Sequence, residues 1–413
     1  MIAYVILTLL FVLPFIDPRR PLRLIHLDVL VLVLFGLYFL RFMDQGRGAG
    51  SLQVSVVLAN VGLLYLLART LLLGFRPPRR EEPLLPILPA WLLGVAAVLL
   101  TVAHLGFPLV DDRRPVIDVG DSSVQGAERI LDGDDLYGAE GYRHPEIHPD
   151  TYGPVTYVLY APFALALSSP NYAARAAASL FDLLTVIGLF LLGRSLREGT
   201  QGSRLGFVLA YAWASFPYTF FVTAWAYNDA MVALFLVAAM LASASPLRRG
   251  LAVGFGAAAK FVPVVIAPLF ARGAGGWSRR AILVYSGALA GAIAVAFAPF
   301  IPDGGLPEVY QRMIGWQIDR QADTTIWGQY PSVEWLRPFA RAAVIVFAVA
   351  LAFVPRRRTP VQVAALAAAA ILAFELSLGN WLPSYVVWFS PAAFVAFFAG
   401  GSQPSPEPRA NRK

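Results

Sequence analysis

The amino-acid sequence predicts an all-α fold: a polytopic transmembrane helical bundle of about 11–13 spans, with an external loop carrying an amphipathic surface helix. Two observations predict it. Of 413 residues, 58% are hydrophobic and only 14% charged, with a mean hydropathy of +0.62, so there are too few charges to build a soluble surface. Apolar runs of about 17 to 25 residues also recur along most of the chain, each long enough to cross a hydrocarbon layer about 30 Å thick. In lipid the backbone must satisfy its own hydrogen bonds, which makes these runs helices.

The runs fall near 2–16, 27–43, 52–75, 87–107, 178–197, 205–223, 229–245, 280–300, 338–355, 361–378 and 384–400, giving eleven crossings. Two more stretches are ambiguous: 154–167 is short for a span, and 251–270 is interrupted by Lys260 and Pro263. The basic residues decide how to place them. Arg19, Arg20 and Arg23 form one cluster, followed by Arg76, Arg79 and Arg80, by Arg194, Arg197 and Arg204, by Arg248 and Arg249, by Arg272, Arg279 and Arg280, and by Arg356 to Arg358. All are expected on the cytoplasmic side. That works only if 154–168 is an interfacial or partly inserted helix and 251–270 is a hairpin of two half-helices meeting near Lys260.

The resulting organisation is a four-span segment (1–107), an external catalytic loop (108–153), a membrane core (154–400) with a second external loop (301–337), and a disordered cytoplasmic tail (401–413). The turn at 227–229 and the segment 379–384 also fall outside. Loop 108–153 holds eleven Asp or Glu against four Arg, as expected of an external segment. The first run lacks a basic leader and a small-residue cleavage site and is read as a retained span. With no cysteine, disulfides, thiolate metal sites and cysteine nucleophiles are excluded. The +7 charge gathers in short loops between spans, which suits anionic membrane lipids and not nucleic acid.

The most informative stretch is 116–138, VIDVGDSSVQGAERILDGDDLYG. Val124, Ala127, Ile130 and Leu131 share one side of a helix, so 122–132 reads as an amphipathic surface helix, with Ser122 and Gln125 at capping-box spacing and Gly133 as its stop.

Here the sequence resembles a known family. An Asp after a span (Asp118), the amphipathic helix, LDGDDLY and then DTYGPVTYVLYAPF follow the order of the GT-C superfamily of membrane glycosyltransferases, and most closely glycosyltransferase family 87. WAYNDAMVALFLVAAMLA resembles that family's Asn and Asp at the outer start of a span, and GLAVGFGAAAKFVPVVIAPLF its Gly-rich Lys-x-x-Pro hairpin. The match covers roughly 116–270; the first 107 residues look like an addition. The resemblance implies inverting transfer of a hexose, with mannose the sugar it points to. The donor would be a polyprenyl-phosphate sugar and the acceptor a glycolipid or cell-envelope glycan, at the external face of the cytoplasmic membrane, with no cofactor.

Such a transfer needs a base for the acceptor hydroxyl and positive charge at the departing phosphate. Asp118 is the candidate base, ahead of Asp121, whose place before Ser122 suits a helix cap. Lys260, one of only two lysines, lies deep in the apolar hairpin and calls for a partner, which a lipid phosphate would supply. Asn228 and Asp229 are candidate substrate contacts, with helix capping as the structural alternative. Tyr137 and Tyr152 are further substrate candidates from the motifs that carry the resemblance. Loop 301–337 offers Tyr310, Trp316, Trp327, Tyr330 and Trp335 with Arg312 and Arg320, aromatics that stack on sugars or rest on headgroups; Trp316 is the candidate sugar contact. Pro145 and Pro149 keep His144 and His148 off a common helix face, against a metal site. Without a Gly-x-Ser-x-Gly, a P-loop or a dinucleotide fingerprint, a lipid-linked donor is favoured over a nucleotide sugar. A transporter or flippase of lipid-linked sugars and a non-catalytic assembly subunit stand as alternatives.

Overall fold

Proline placement cuts the apolar runs into helices that are often shorter than the runs themselves. The computed structural model describes residues 2–33, 49–77, 88–110, 116–138, 141–274 and 276–400, and among them there is no strand. The expected tail at 401–413 and much of the run at 27–43 lie outside the described residues.

In chain order the helices are α1 (Ile2–Val12), α2 (Leu24–Val33), α3 (Ala49–Phe75), α4 (Ala90–Val110) and α5 (Asp118–Asp132). They continue with α6 (Pro154–Ala166), α7 (Pro170–Leu196), α8 (Gly199–Ser215), α9 (Pro217–Ala224), α10 (Ala230–Leu241), α11 (Pro246–Ala259), α12 (Ala267–Arg272) and α13 (Arg279–Phe297). Short helices α14 (Gly305–Tyr310), α15 (Trp316–Asp319) and α16 (Ile326–Gln329) precede α17 (Arg337–Ala350), α18 (Pro360–Leu376) and α19 (Val386–Phe398).

Among the described residues, four helices are long and apolar enough to cross a membrane: Leu52–Phe75, Ala90–Pro108, Pro170–Leu196 and Arg279–Phe300. The chain is a multi-pass membrane protein. The run at 205–223, expected as a crossing, is α8 and α9, which together are apolar and long enough for one span but are bent by 55° at the Phe216–Pro217 junction, because proline supplies no N–H to continue the ladder. Several other expected crossings, including α10, α18 and the final run, are apolar helices of 10–17 residues.

The N-terminal segment wraps the core. Tyr211 and Tyr218 donate to the carbonyls of Leu10 and Val33 at 2.5 and 2.8 Å, Arg175 to Pro108 at 2.9 Å, and Gln362 to Gly74 at 2.8 Å. Within it, buried Asp28 accepts two hydrogen bonds from Arg69, both 2.8 Å, and one from Tyr65 at 2.7 Å, so its charge is fully matched.

Residues 246–272 fold back on themselves. Arg249, near the start of α11, donates to the Phe270 carbonyl near the end of α12 at 3.1 Å, while the chain reverses at Lys260. The two loops expected outside are sewn together by a small cluster of Leu136, Tyr137, Tyr157, Val309 and Met313. Arg312, in a π-helical turn at Gln311–Gly315, reaches buried Asp150 at 3.2 Å.

Candidate active site

Three chain reversals meet at one pocket, and each is fixed by a small residue at a close approach. Gly153 packs so tightly on the end of α11 that any side chain there would collide with the Ala258 carbonyl. Its N–H and the Thr156 hydroxyl both donate to the Ala259 carbonyl at 2.9 Å, which sets Tyr152 beside Lys260. Gly120 sits against the Ala226 carbonyl in the same way, and the Ile117 N–H donates to Trp225 at 3.1 Å. Ala226 itself takes a positive φ of 56°, a strained turn that swings Tyr227 and Asp229 toward α5. Gly379 abuts the Arg320 carbonyl, and the Ala322 N–H donates to the Gly379 carbonyl at 2.9 Å.

The pocket so formed is lined by Asp118, Tyr152, Asp229, Lys260, Trp316 and Arg320, with Tyr227, Asn380, Tyr385 and Trp388 closing it. Lys260 Nζ lies 2.6 Å from Asp229 Oδ1, with the two residues 8% and 1% exposed. The same oxygen accepts the Trp388 indole N–H at 2.7 Å. The ammonium also faces the rings of Tyr152 and Trp388 at 5.3 and 5.5 Å, and Tyr385 stacks on Trp388 at 3.9 Å. Asp229 occupies the N-cap position of α10, but its side chain does not cap the helix; its carboxylate is committed to the pocket. Burial, and then the nearby Asp118 and Asp229 carboxylates, push the Tyr152 phenol well above its ordinary value, so it is a neutral donor and not a base.

Asp118 is exposed on the pocket wall, and its carboxylate accepts the Val119 N–H at 2.8 Å. Helix α5 begins here, four residues earlier than expected, with Ile117 at the N-cap. The capping box at Ser122 and Gln125 is therefore absent: Ser122 lies inside the helix and lines the pocket, while Gln125 donates to Asp121. Asp121 is not a cap either. It is drawn away from the pocket by Gln125 and by Arg143, 3.4 Å distant, which also grips Glu128 at 2.6 Å. Nor does α5 rest open on a lipid surface: Ser122 to Ala127 are buried, with Gly126 under the Tyr157 ring. Gly133, at φ 79°, ends the helix as expected.

Two other expected contacts stand behind the wall. Fully buried Asn228 donates to Ser123 at 3.1 Å, tying α5 to the start of α10. Tyr137 donates to the Tyr152 carbonyl at 3.1 Å and so supports a pocket residue; burial raises its phenol well above the ordinary range. Of the aromatics in 301–337, Trp316 lines the pocket, with its ring under the Arg320 guanidinium at 4.9 Å and against His148 at 4.7 Å. Trp327 turns away to the Leu376 carbonyl at 3.1 Å, and Tyr330 receives Gln53 of α3 at 3.1 Å. Asn380, Tyr385 and Trp388 were not singled out in the sequence. Asn380 had a signal, as a polar residue in a turn expected outside, whereas Trp388 reads as one more aromatic in an apolar run.

An apolar groove adjoins the pocket. Phe261, Gln317 and Leu378 line both, and Ile314, Ile318, Val344, Ile345 and Phe374 form much of the groove's own wall.

The sequence model described as Glycosyltransferase family 87 matches residues 151–378. The match starts later and ends later than the expected 116–270, taking in Tyr152, Asn228, Asp229, Lys260 and Trp316 and leaving Asp118, Asp121 and Tyr137 upstream. No curated protein matches the chain. Among solved structures, the crystal structure of ArnT from Cupriavidus metallidurans bound to undecaprenyl phosphate is similar, with a TM-score of 0.45 and 17% identity, over 75% of this chain. This chain spans 59% of the length of that one.

Proposed function

The chain belongs to glycosyltransferase family 87, within the GT-C superfamily, and from that premise we propose that it transfers a hexose, mannose in the first instance, from a polyprenyl-phosphate sugar. The acceptor is a glycolipid or cell-envelope glycan, and the transfer takes place with inversion at the external face of the cytoplasmic membrane. The observation that carries the reading is the junction of two unlike cavities. A polar pocket holding a solvent-facing carboxylate and two cations adjoins an apolar groove, the two sharing Phe261, Gln317 and Leu378 in their walls. A substrate with a charged, sugar-bearing head and an isoprenoid tail matches that division, the head in the pocket and the tail in the groove.

The chemistry follows from the residues. The acceptor oxygen attacks the anomeric carbon as the bond from that carbon to the phosphate oxygen breaks. The acceptor proton passes to the Asp118 carboxylate, whose solvent-facing position and lack of an ion pair among the described residues leave it free to take it. The bonding pair leaves with the phosphate, which gains a negative charge as polyprenyl phosphate departs, and positive charge in the pocket stabilises it. Tyr152, Asp229 and Trp316 line the space available to the sugar.

The test is an assay of the purified chain with labelled polyprenyl-phosphate mannose and candidate glycolipid acceptors. A new glycosidic bond of inverted configuration supports the reading. Passage of the lipid across vesicles with no new bond refutes it in favour of a transporter.

A further inference from the structure

We infer that Arg320, and not Lys260, is the cation that receives the departing phosphate, and that Lys260 is a positioning residue whose charge is spent on Asp229. The inference rests on the glycosyl-transfer reading above and decides between the two cations that line the pocket.

Lys260 is already matched. Its ammonium is 2.6 Å from a carboxylate oxygen that is 1% exposed with its residue, and the rings of Tyr152 and Trp388 flank it. A phosphate approaching this neutral pair meets Asp229 as well as Lys260, so attraction and repulsion largely cancel. Arg320 differs on each count. Among the described residues no carboxylate forms an ion pair with it, and its guanidinium lies over the Trp316 ring at 4.9 Å. Its backbone is fixed on both sides: the N–H donates to the Trp316 carbonyl at 2.9 Å, and the carbonyl packs on Gly379. A planar fork of N–H donors, preorganised and uncompensated, matches the oxygens of a phosphate monoester in a way that a paired ammonium does not.

Position agrees with charge. Arg320 follows directly on α15, from which Gln317 lines both cavities and Ile318 lines the groove. A phosphate joining a head group in the pocket to a tail in the groove has to pass this helix end. Arg320 therefore stands where the negative charge grows as the sugar–phosphate bond breaks.

The test compares a polyprenyl phosphate with the uncharged polyprenol for binding to the full chain in lipid nanodiscs, alongside transfer kinetics. The native chain is expected to prefer the phosphate, Arg320→Gln to lose roughly 10- to 100-fold of that preference, and Arg320→Lys to keep part of it. The double variant Lys260→Met with Asp229→Asn, which removes both charges together, is expected to keep the preference. In kinetics, Arg320→Gln should depress kcat more than it raises KM, with thermal unfolding near native in Arg320→Lys. Preference surviving in Arg320→Gln and lost in the double variant overturns the assignment while leaving the transfer reading intact. No preference in the native chain overturns both.

Discussion

Lys260 and Asp229, 31 positions apart in sequence, form a buried ion pair with 2.6 Å between Nζ and Oδ1, and the Trp388 indole shares the same carboxylate oxygen. The pair joins the reversal of the α11–α12 hairpin to the start of α10, so it holds two of the elements that build the pocket. Removing only the lysine leaves a carboxylate buried without its cation. Lys260→Met is expected to cost about 3 kcal/mol of stability, and adding Asp229→Asn to restore most of it. Thermal unfolding in detergent reads this out; equal stability for the single variant and the native chain would contradict it.

The close approach of Gly120 to the Ala226 carbonyl sets where α5 begins, and with it the position of Asp118. Gly120→Ala forces the two segments apart, at about 1–3 kcal/mol, and should lower transfer more than stability alone explains. Gly106, with nothing within 4 Å of an added Cβ, is the control: Gly106→Ala should be neutral or slightly stabilising. Activity per folded molecule separates the two variants.

Arg312 and Asp150 fasten the 301–337 loop to the 108–153 loop at 3.2 Å, with Asp150 also accepting the Gly138 N–H at 3.1 Å. The Arg312 side chain is 31% exposed, which weakens the pair, so Arg312→Ala is expected to cost about 1–2 kcal/mol. The loss should appear first in the loops, as amide hydrogen exchange that quickens relative to the native chain in 141–152 and 305–316 and not in α7. Uniform exchange across both regions would show that the contact does not join them.

Much of this arrangement was legible in particular residues. A lone lysine inside an apolar hairpin demanded a partner, and the hairpin, its tip and Gly133 as a helix stop all follow from local chemistry. Asp118, Tyr152, Asp229 and Trp316 were named from motifs and resemblance, and the pocket gathers all four. What local reading got wrong has tertiary causes. Ser122 and Gln125 have capping spacing, yet α5 starts at Asp118 because the backbone of Ile117 is held by Trp225. The sequence called for a partner to Lys260 without showing that Asp229, 31 positions earlier, comes within 2.6 Å of it. Trp388 and Tyr385 carry no local sign of a site, since an aromatic in an apolar run reads the same whether it faces lipid or a pocket.

The role of Asp118 as acceptor of the hydroxyl proton is read out by comparing mannosyl transfer from labelled polyprenyl-phosphate mannose by the native chain, Asp118→Asn and Asp121→Asn. Asp118→Asn is expected to lose about 10²- to 10⁴-fold in kcat while unfolding at the native temperature. Asp121→Asn should lose far less, because its carboxylate is held outside the pocket by Gln125 and Arg143. Native-like transfer by a folded Asp118→Asn chain would show that Asp118 is not the base.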